Sequence, residues 1–330
     1  MTGSSRREGG GAPAEWQRAG LAFISAVESG RLDLALPGSG FTRERLAAFA
    51  ELAEEDLSLA RLGEGHADAV AILAELNGPP PLPGSRWGVW AANPPGPNVT
   101  AARRDGGWVL NGTKQYCSGA RTCTHALVTA AAGDEARLFA VAVDELEPRE
   151  GSWPATGMAG SDTLDVGFPG VTAELVGPPG GYTSRPGFSH GGVGVAACWY
   201  GGARGVARAL LSAAAKRDVG PHALAHLGAV DIALRTARAA LGQAADEIDA
   251  DPGDLRGDGP LRALRVRALT EAVASDVLAR TGRALGAGPL SHDEAHSRAV
   301  ADLTVYLRQH HAERDLARLG ELVARHGSEW

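Results

Sequence analysis

Residues 107–120 read GWVLNGTKQYCSGA. Trp108, Val109 and Leu110 run into Asn111-Gly112, and a polar stretch then ends in Tyr116-Cys117-Ser118-Gly119-Ala120. Asn-Gly supplies the two positive-φ positions that a tight primed turn demands, so the stretch predicts a β-hairpin turning at Asn111-Gly112. Its second strand delivers one tyrosine and one hydroxyl among small residues.

Outward from this hairpin the pattern stays β. The runs WGVW (87–90), HALVTAA (125–131) and ARLFAVAV (136–143) are separated by Gly, Pro, Asn and Asp, as short strands of a small barrel or sandwich are. On either side the spacing becomes helical. Leu46, Phe49, Leu52, Leu57 and Leu59 mark an apolar face before the breaker cluster NGPPPLPG (77–84). After GPPGGYTSRPG (177–187), helical faces recur over 203–217, 229–249, 261–285 and 294–325, with Leu234, Leu241 and Ile248 spaced by seven, which implies a bundle. The expected class is α+β, in four parts. Residues 1–13 form a disordered N-terminus, 14–84 an N-terminal helical domain, 85–184 a middle β domain and 185–330 a C-terminal helical bundle.

Composition narrows the function. Apolar residues make up 44% of the chain and charged ones 22%, which is globular. A formal net charge of −7 argues against a general attraction to nucleic acid or to an anionic membrane. The 3 cysteines, Cys117, Cys123 and Cys198, form no CxxC and fit a reducing compartment better than a disulfide framework. With no long apolar run and no signal-peptide pattern, the expectation is a cytoplasmic protein.

The helical–β–helical order, together with three segments, resembles the acyl-CoA dehydrogenase superfamily of flavoproteins. GWVLNGTKQYCSGA is similar to that family's hairpin, where a lysine, an aromatic and a hydroxyl residue follow Asn-Gly. GMAGSDTLDVGFPGVTA (157–173) resembles its arginine-glycine-serine strand, with Ala159 where a basic residue is common. RALGAGPL (283–290), leading to Asp302 and Tyr306, resembles its C-terminal glycine-rich turn. The likeness covers roughly residues 50–320.

The resemblance implies an FAD-dependent oxidoreductase. Tyr116 takes the aromatic role and Ser118 the hydroxyl role beside the flavin ring, and backbone N–H groups of Ala91 and Ala92 serve the pyrimidine oxygens. Lys216 and Arg217 match the place of the phosphate-binding arginine. Arg283, Gly286 and Gly288 match the region that meets the adenosine half. In the family these groups come partly from a second subunit, so a homodimer or homotetramer is implied. The loop VWAANPPGP (89–97) lacks the family's usual threonine, glutamate and serine. The position of the carboxylate base falls at His310, beside His311, and the stretch equally resembles the end of reduced-flavin monooxygenases on the same fold. A histidine can serve as a base near neutral pH.

Three weaker motifs have plainer readings. Gly192-x-Gly194-x-x-Ala197 matches a dinucleotide fingerprint without its preceding strand, and small residues that let helices approach explain it better. His292 and His296 are spaced i, i+4 but lack a third metal ligand. Glu64, His66 and Asp68 read as a solvated helix face. The leading expectation is therefore an FAD enzyme acting on a small molecule such as an acyl thioester. A reduced-flavin monooxygenase and a flavin-free scaffold or binding subunit stand beside it.

Overall fold

The computed structural model describes residues 14–96 and 98–326, so the disordered N-terminus expected over 1–13 lies outside the described residues. Three helices come first: α1 (Glu15–Glu28), α2 (Thr42–Glu55) and α3 (Leu57–Glu75). Asp56 ends α2 in an extended conformation and starts α3, its carboxylate accepting from the N–H groups of Ser58 and Leu59 at 2.8 and 3.0 Å. One acidic residue thereby satisfies two otherwise orphaned donors and sets the angle between the helices.

Seven strands follow: β1 (Trp87–Trp90), β2 (Val99–Arg104), β3 (Gly107–Cys117), β4 (His125–Ala132), β5 (Glu135–Ala142), β6 (Glu147–Arg149) and β7 (Leu164–Val176). β4 pairs in parallel with β1 and β2 on one side and antiparallel with β5 on the other. β2 pairs with β3, β3 with β7, and β7 with β5, so the sheet closes on itself. Its inside buries Leu110, Val128, Phe139, Val166 and Phe168. The opposite face of β4 and β5 presents Leu127 and Leu138, which pack on Ile72 and Leu73 of α3. The period of two along each strand puts these sets on opposite sides.

The hairpin expected at Asn111-Gly112 lies six residues earlier. Asp105 and Gly106, at φ 48° and 83°, form the turn, and β3 runs unbroken through Asn111 and Gly112 to Cys117. Asp-Gly satisfies the same two positive-φ positions as Asn-Gly. Turning there lets six consecutive pairs form, from Arg104↔Gly107 to Val99↔Gly112. Asn111 instead marks a register shift against β7, and Gly112, at φ 123°, lets the Asn98 carbonyl approach to 2.4 Å from where a Cβ would stand.

Beyond a short turn, α4 (Gly181–Ser184), come α5 (Pro186–Lys216), α6 (Gly220–Ala250), α7 (Gly259–Leu285), α8 (Gly288–His292), α9 (Glu294–Tyr306) and α10 (Glu313–His326). α5 is the central pillar, burying Val193, Ala196, Ala197, Cys198, Trp199, Ala203 and Val206. Its small residues serve close packing: the Phe49 ring comes within 3.2 Å of where a Gly194 Cβ would be. The single helix expected over 294–325 is in fact two. A 3₁₀ turn (Leu307–Gln309) and Ala312 at φ 47° break it, because Leu307 and His310 turn into the core. The architecture is α+β, with N-terminal helices, a closed central sheet and a C-terminal helical bundle. Among the described residues no helix is long and apolar enough to cross a membrane.

Candidate active site

Three segments of the β half converge at one end of the closed sheet. Tyr116 sits in the left-handed region at φ 60°, is 51% exposed, and meets Trp153 edge-on at 6.3 Å. Ser118 follows. Its carbonyl accepts the Trp90 indole N–H at 2.9 Å, and its hydroxyl shares a hydrogen bond with Thr163 at 2.9 Å, which in turn bonds Ser161 at 2.7 Å. Met158 and Asp162 also have positive φ, at 58° and 50°. Left-handed backbone at non-glycine residues is costly and collects where geometry serves function, so three such residues at one sheet end mark it out. Asp162 is held by Arg121, whose backbone N–H and Nε both donate to it at 2.7 Å.

The helical half closes on this end. Leu62 of α3 packs on Gly119, and the backbone of Ala301 in α9 packs on Gly157. Asp302 of α9 accepts the Met158 N–H, and burial pushes its carboxyl up to about 6. Behind lies a polar cluster that the solvated-face reading did not anticipate. Glu64 and His66 are buried at 4% and 6% exposure, and Glu64 pairs with Arg61 at 2.6 Å. Burial pushes the Glu64 carboxyl up, and Arg61 pulls it back. The Tyr306 hydroxyl and the Cys198 thiol are both raised well above their ordinary values by burial, and each feels the charges of Arg61 and Glu64.

His310 completes the cluster. Its ring stands edge-on to Trp199 at 6.4 Å, and Tyr306 does the same at 6.3 Å. Arg267 lies over Trp199 at 4.6 Å and donates to the carbonyls of Gly192 and Gln309, tying α5 and α7 to the His310 turn. His310 Nδ1 accepts the Ala312 N–H at 3.2 Å, which leaves Nε2 to carry the proton of the neutral ring. Three buried polar atoms here have no hydrogen-bond partner among the described residues: Trp199 Nε1, the Tyr306 hydroxyl and His310 Nε2. Burial lowers the imidazole below its ordinary value, with Asp315 opposing, so the ring is neutral at pH 7.

The expected site residues fall into two groups. Ala91 and Ala92 follow Trp90 of β1, whose indole reaches the Ser118 carbonyl, while His310 stands in the buried cluster with Trp199 and Tyr306. His311 points outward, 56% exposed, and pairs with Asp315 at 3.4 Å. Lys216 and Arg217 are exposed at the far end of α5, roughly 36 Å from Gly192 at a rise of about 1.5 Å per residue. Arg283, Gly286 and Gly288 are exposed where α7 ends, Gly286 capping it at φ 67°. His292 and His296 lie in different helices, and among the described residues no group of three or more ligands is placed to hold a metal. Trp199, Arg267, Arg61 and Thr163 carry no sequence signal of their own; only the tertiary fold shows them together.

No protein-family model and no curated protein matches the sequence. Solved structures match its fold over nearly its whole length. The dibenzothiophene monooxygenase TdsC from Paenibacillus sp. A11-2 superposes with a TM-score of 0.76 at 20% identity, covering 94% of this chain and 96% of that one. KijD3, solved with FMN and dTDP-3-amino-2,3,6-trideoxy-4-keto-3-methyl-D-glucose, gives 0.78 at 19% identity over 96% and 92%. The nitrososynthase from Micromonospora carbonacea var. africana gives 0.76 at 20% over 95% and 91%.

These findings correct two expectations. TdsC is a monooxygenase, and both TdsC and KijD3 were solved with FMN, where FAD and a dehydrogenase had been expected. The physical reason is local. A buried imidazole, His310, occupies the position that the resemblance assigns to the dehydrogenase's base carboxylate. At the sheet end Tyr116 is exposed and Ser118 half-buried. What the likeness establishes is the acyl-CoA dehydrogenase-like fold.

Proposed function

We propose that the protein is a monooxygenase that uses reduced FMN to oxygenate a small organic molecule. The fold shared with TdsC and KijD3 supports this, and His310 carries it: a buried neutral imidazole whose Nε2 makes no hydrogen bond among the described residues and faces the Asp315 carboxylate at 4.0 Å. Reduced FMN, when bound, supplies two electrons and two protons, so that one atom of O₂ enters the substrate and the other leaves as water. In this reading Tyr116 and Ser118 orient the ring, with Thr163 and Trp90 fixing Ser118 in turn. His310 moves a proton at Nε2, and Trp199 and Arg267 keep water from it. In a homodimer the exposed Lys216 and Arg217 meet the phosphate of the partner's coenzyme. The acidic net charge of −7 favours a small-molecule partner over nucleic acid.

The test is spectroscopic and then kinetic. Titration with FMN should shift the flavin absorption, and reduced FMN should drive oxygen uptake that rises with substrate. His310→Ala should keep FMN bound and lose about 10²–10⁴-fold in product formation. Retained turnover would clear His310.

A flavin-free binding subunit is the second reading, favoured by tight packing around the cluster. The cavity beside Glu64, His190 and Gly194 measures about 10 Å³, room for a single water. A protein that stays colourless after incubation with FMN would select this reading.

A further inference from the structure

Lys114 is a lysine inside a sheet, 1% exposed. Its three N–H donors lie within hydrogen-bond distance of four acceptors: Thr129 Oγ1 and the Thr129 carbonyl at 2.9 Å each, Asn93 Oδ1 at 2.7 Å and Asn98 Oδ1 at 3.2 Å. None is a carboxylate. A buried cation without a counter-ion is costly, and burial accordingly lowers this one to about 8, which leaves it mostly charged at neutral pH. Thr129 in β4 would suffice to seat the ammonium within the sheet. The other two acceptors lie outside it, on exposed asparagines at either end of the connection from β1 to β2.

Those asparagines are also joined to each other and to the sheet. Asn98 Nδ2 donates to Asn93 Oδ1 at 3.2 Å, and Asn98 Oδ1 accepts the Val99 N–H at 2.9 Å. Gly112, two residues before Lys114 on β3, leaves the space that the Asn98 carbonyl fills. The position that reads as a hairpin turn is thus a seat for this connection. Ala91 and Ala92, whose backbone N–H groups are the expected partners of the coenzyme ring, lie just before Asn93.

We propose that Lys114 is a positioning residue: through Asn93 and Asn98 it clasps the segment after β1 and holds the backbone of Ala91 and Ala92 at the coenzyme site. The coenzyme half of this proposal rests on the FMN reading; the clasp itself does not. Lys114 touches no coenzyme and acts only through the two asparagines.

The test compares wild type, Lys114→Met and the double variant Asn93→Ala/Asn98→Ala. The double variant leaves the ammonium seated on Thr129, so it remains informative if Lys114→Met fails to fold. Amide hydrogen exchange without flavin is expected to rise about tenfold or more over residues 89–96 in the variants, while β3 and β7 stay protected. FMN dissociation constants are expected to rise by a similar factor. Unchanged exchange over 89–96 in the folded variants overturns the clasp. Faster exchange with unchanged FMN affinity overturns its role toward the coenzyme. Wild type that binds no FMN overturns the function proposed above and the coenzyme half, while the exchange comparison still decides the clasp.

Discussion

His66 Nδ1 accepts the backbone N–H of Trp87 at 3.2 Å, and a protonated ring has no lone pair to do so. Burial lowers this histidine to about 4, opposed by Asp33 and aided by Arg45 and Arg86. Its ordinary value is near 6.5, so the unfolded chain takes up a proton that the folded one refuses. The stability it contributes is complete above about pH 6.5 and is lost progressively as the pH falls toward 4, by about 3 kcal/mol. His66→Leu should remove this part of the acid slope while costing about 1–3 kcal/mol at pH 7 for the orphaned Trp87 N–H. Urea unfolding at a series of pH values measures both, and an unchanged slope would contradict the assignment. In the sequence, Glu64, His66 and Asp68 look like a wet helix face, because polar residues on a helix are usually solvated. The burial of Glu64 and His66 depends on β1 and on helices more than 120 positions downstream, which local spacing does not reveal. Tyr116, Ser118 and His310 were marked by a resemblance; Trp199, Arg267 and Thr163 had no such marker.

Element packing is decided by a few backbone contacts. At Gly201 in α5, a Cβ would stand 2.1 Å from the Ala50 carbonyl oxygen of α2, and neither backbone can move aside without separating the helices. Gly228 in α6 has nothing within 4 Å of the same position. The substitution Gly→Ala should therefore have opposite signs at the two sites. Gly228→Ala should stabilise by roughly 0.5–1 kcal/mol through helix propensity. Gly201→Ala should destabilise by about 1–3 kcal/mol or more through overpacking. Denaturation midpoints would show the contrast, and equal shifts would mean that α2 does not bear on α5 as described. Most elements could be read from period and punctuation: β1, β3, β4 and β5 fall where the short apolar runs place them, and α6 and α7 where their apolar faces do. The errors came where two local signals competed. Asp105-Gly106 and Asn111-Gly112 offer the same turn chemistry, and only the pairing of β2 with β3 chooses between them. The break between α9 and α10 has no proline or glycine to announce it, since Ala312 itself takes positive φ.

At the scale of the whole molecule, the candidate site belongs to no single layer. β3 supplies Tyr116 and the turn after it Ser118, α5 supplies Trp199, α9 supplies Tyr306, and the turn after α9 supplies His310. A ligand held at Tyr116 and Ser118 binds the folded chain and has no equivalent partner in the unfolded one, so it must raise thermal stability by mass action. At a free FMN concentration one hundred times its dissociation constant, the gain is about 2.7 kcal/mol. For 330 residues, with an unfolding entropy of about 2.1 cal/mol/K per residue, that corresponds to a rise in Tm of about 4 °C. FAD carries the same ring, but the FMN reading assigns no residues to an adenosine half, so at equal concentration FAD should raise Tm less. Differential scanning calorimetry with each flavin tests the site and the coenzyme together. A larger rise with FAD would overturn the preference for FMN. No rise with either, at concentrations that saturate other flavoproteins, would leave the unpartnered Trp199, Tyr306 and His310 atoms to a different ligand and favour the binding-subunit reading.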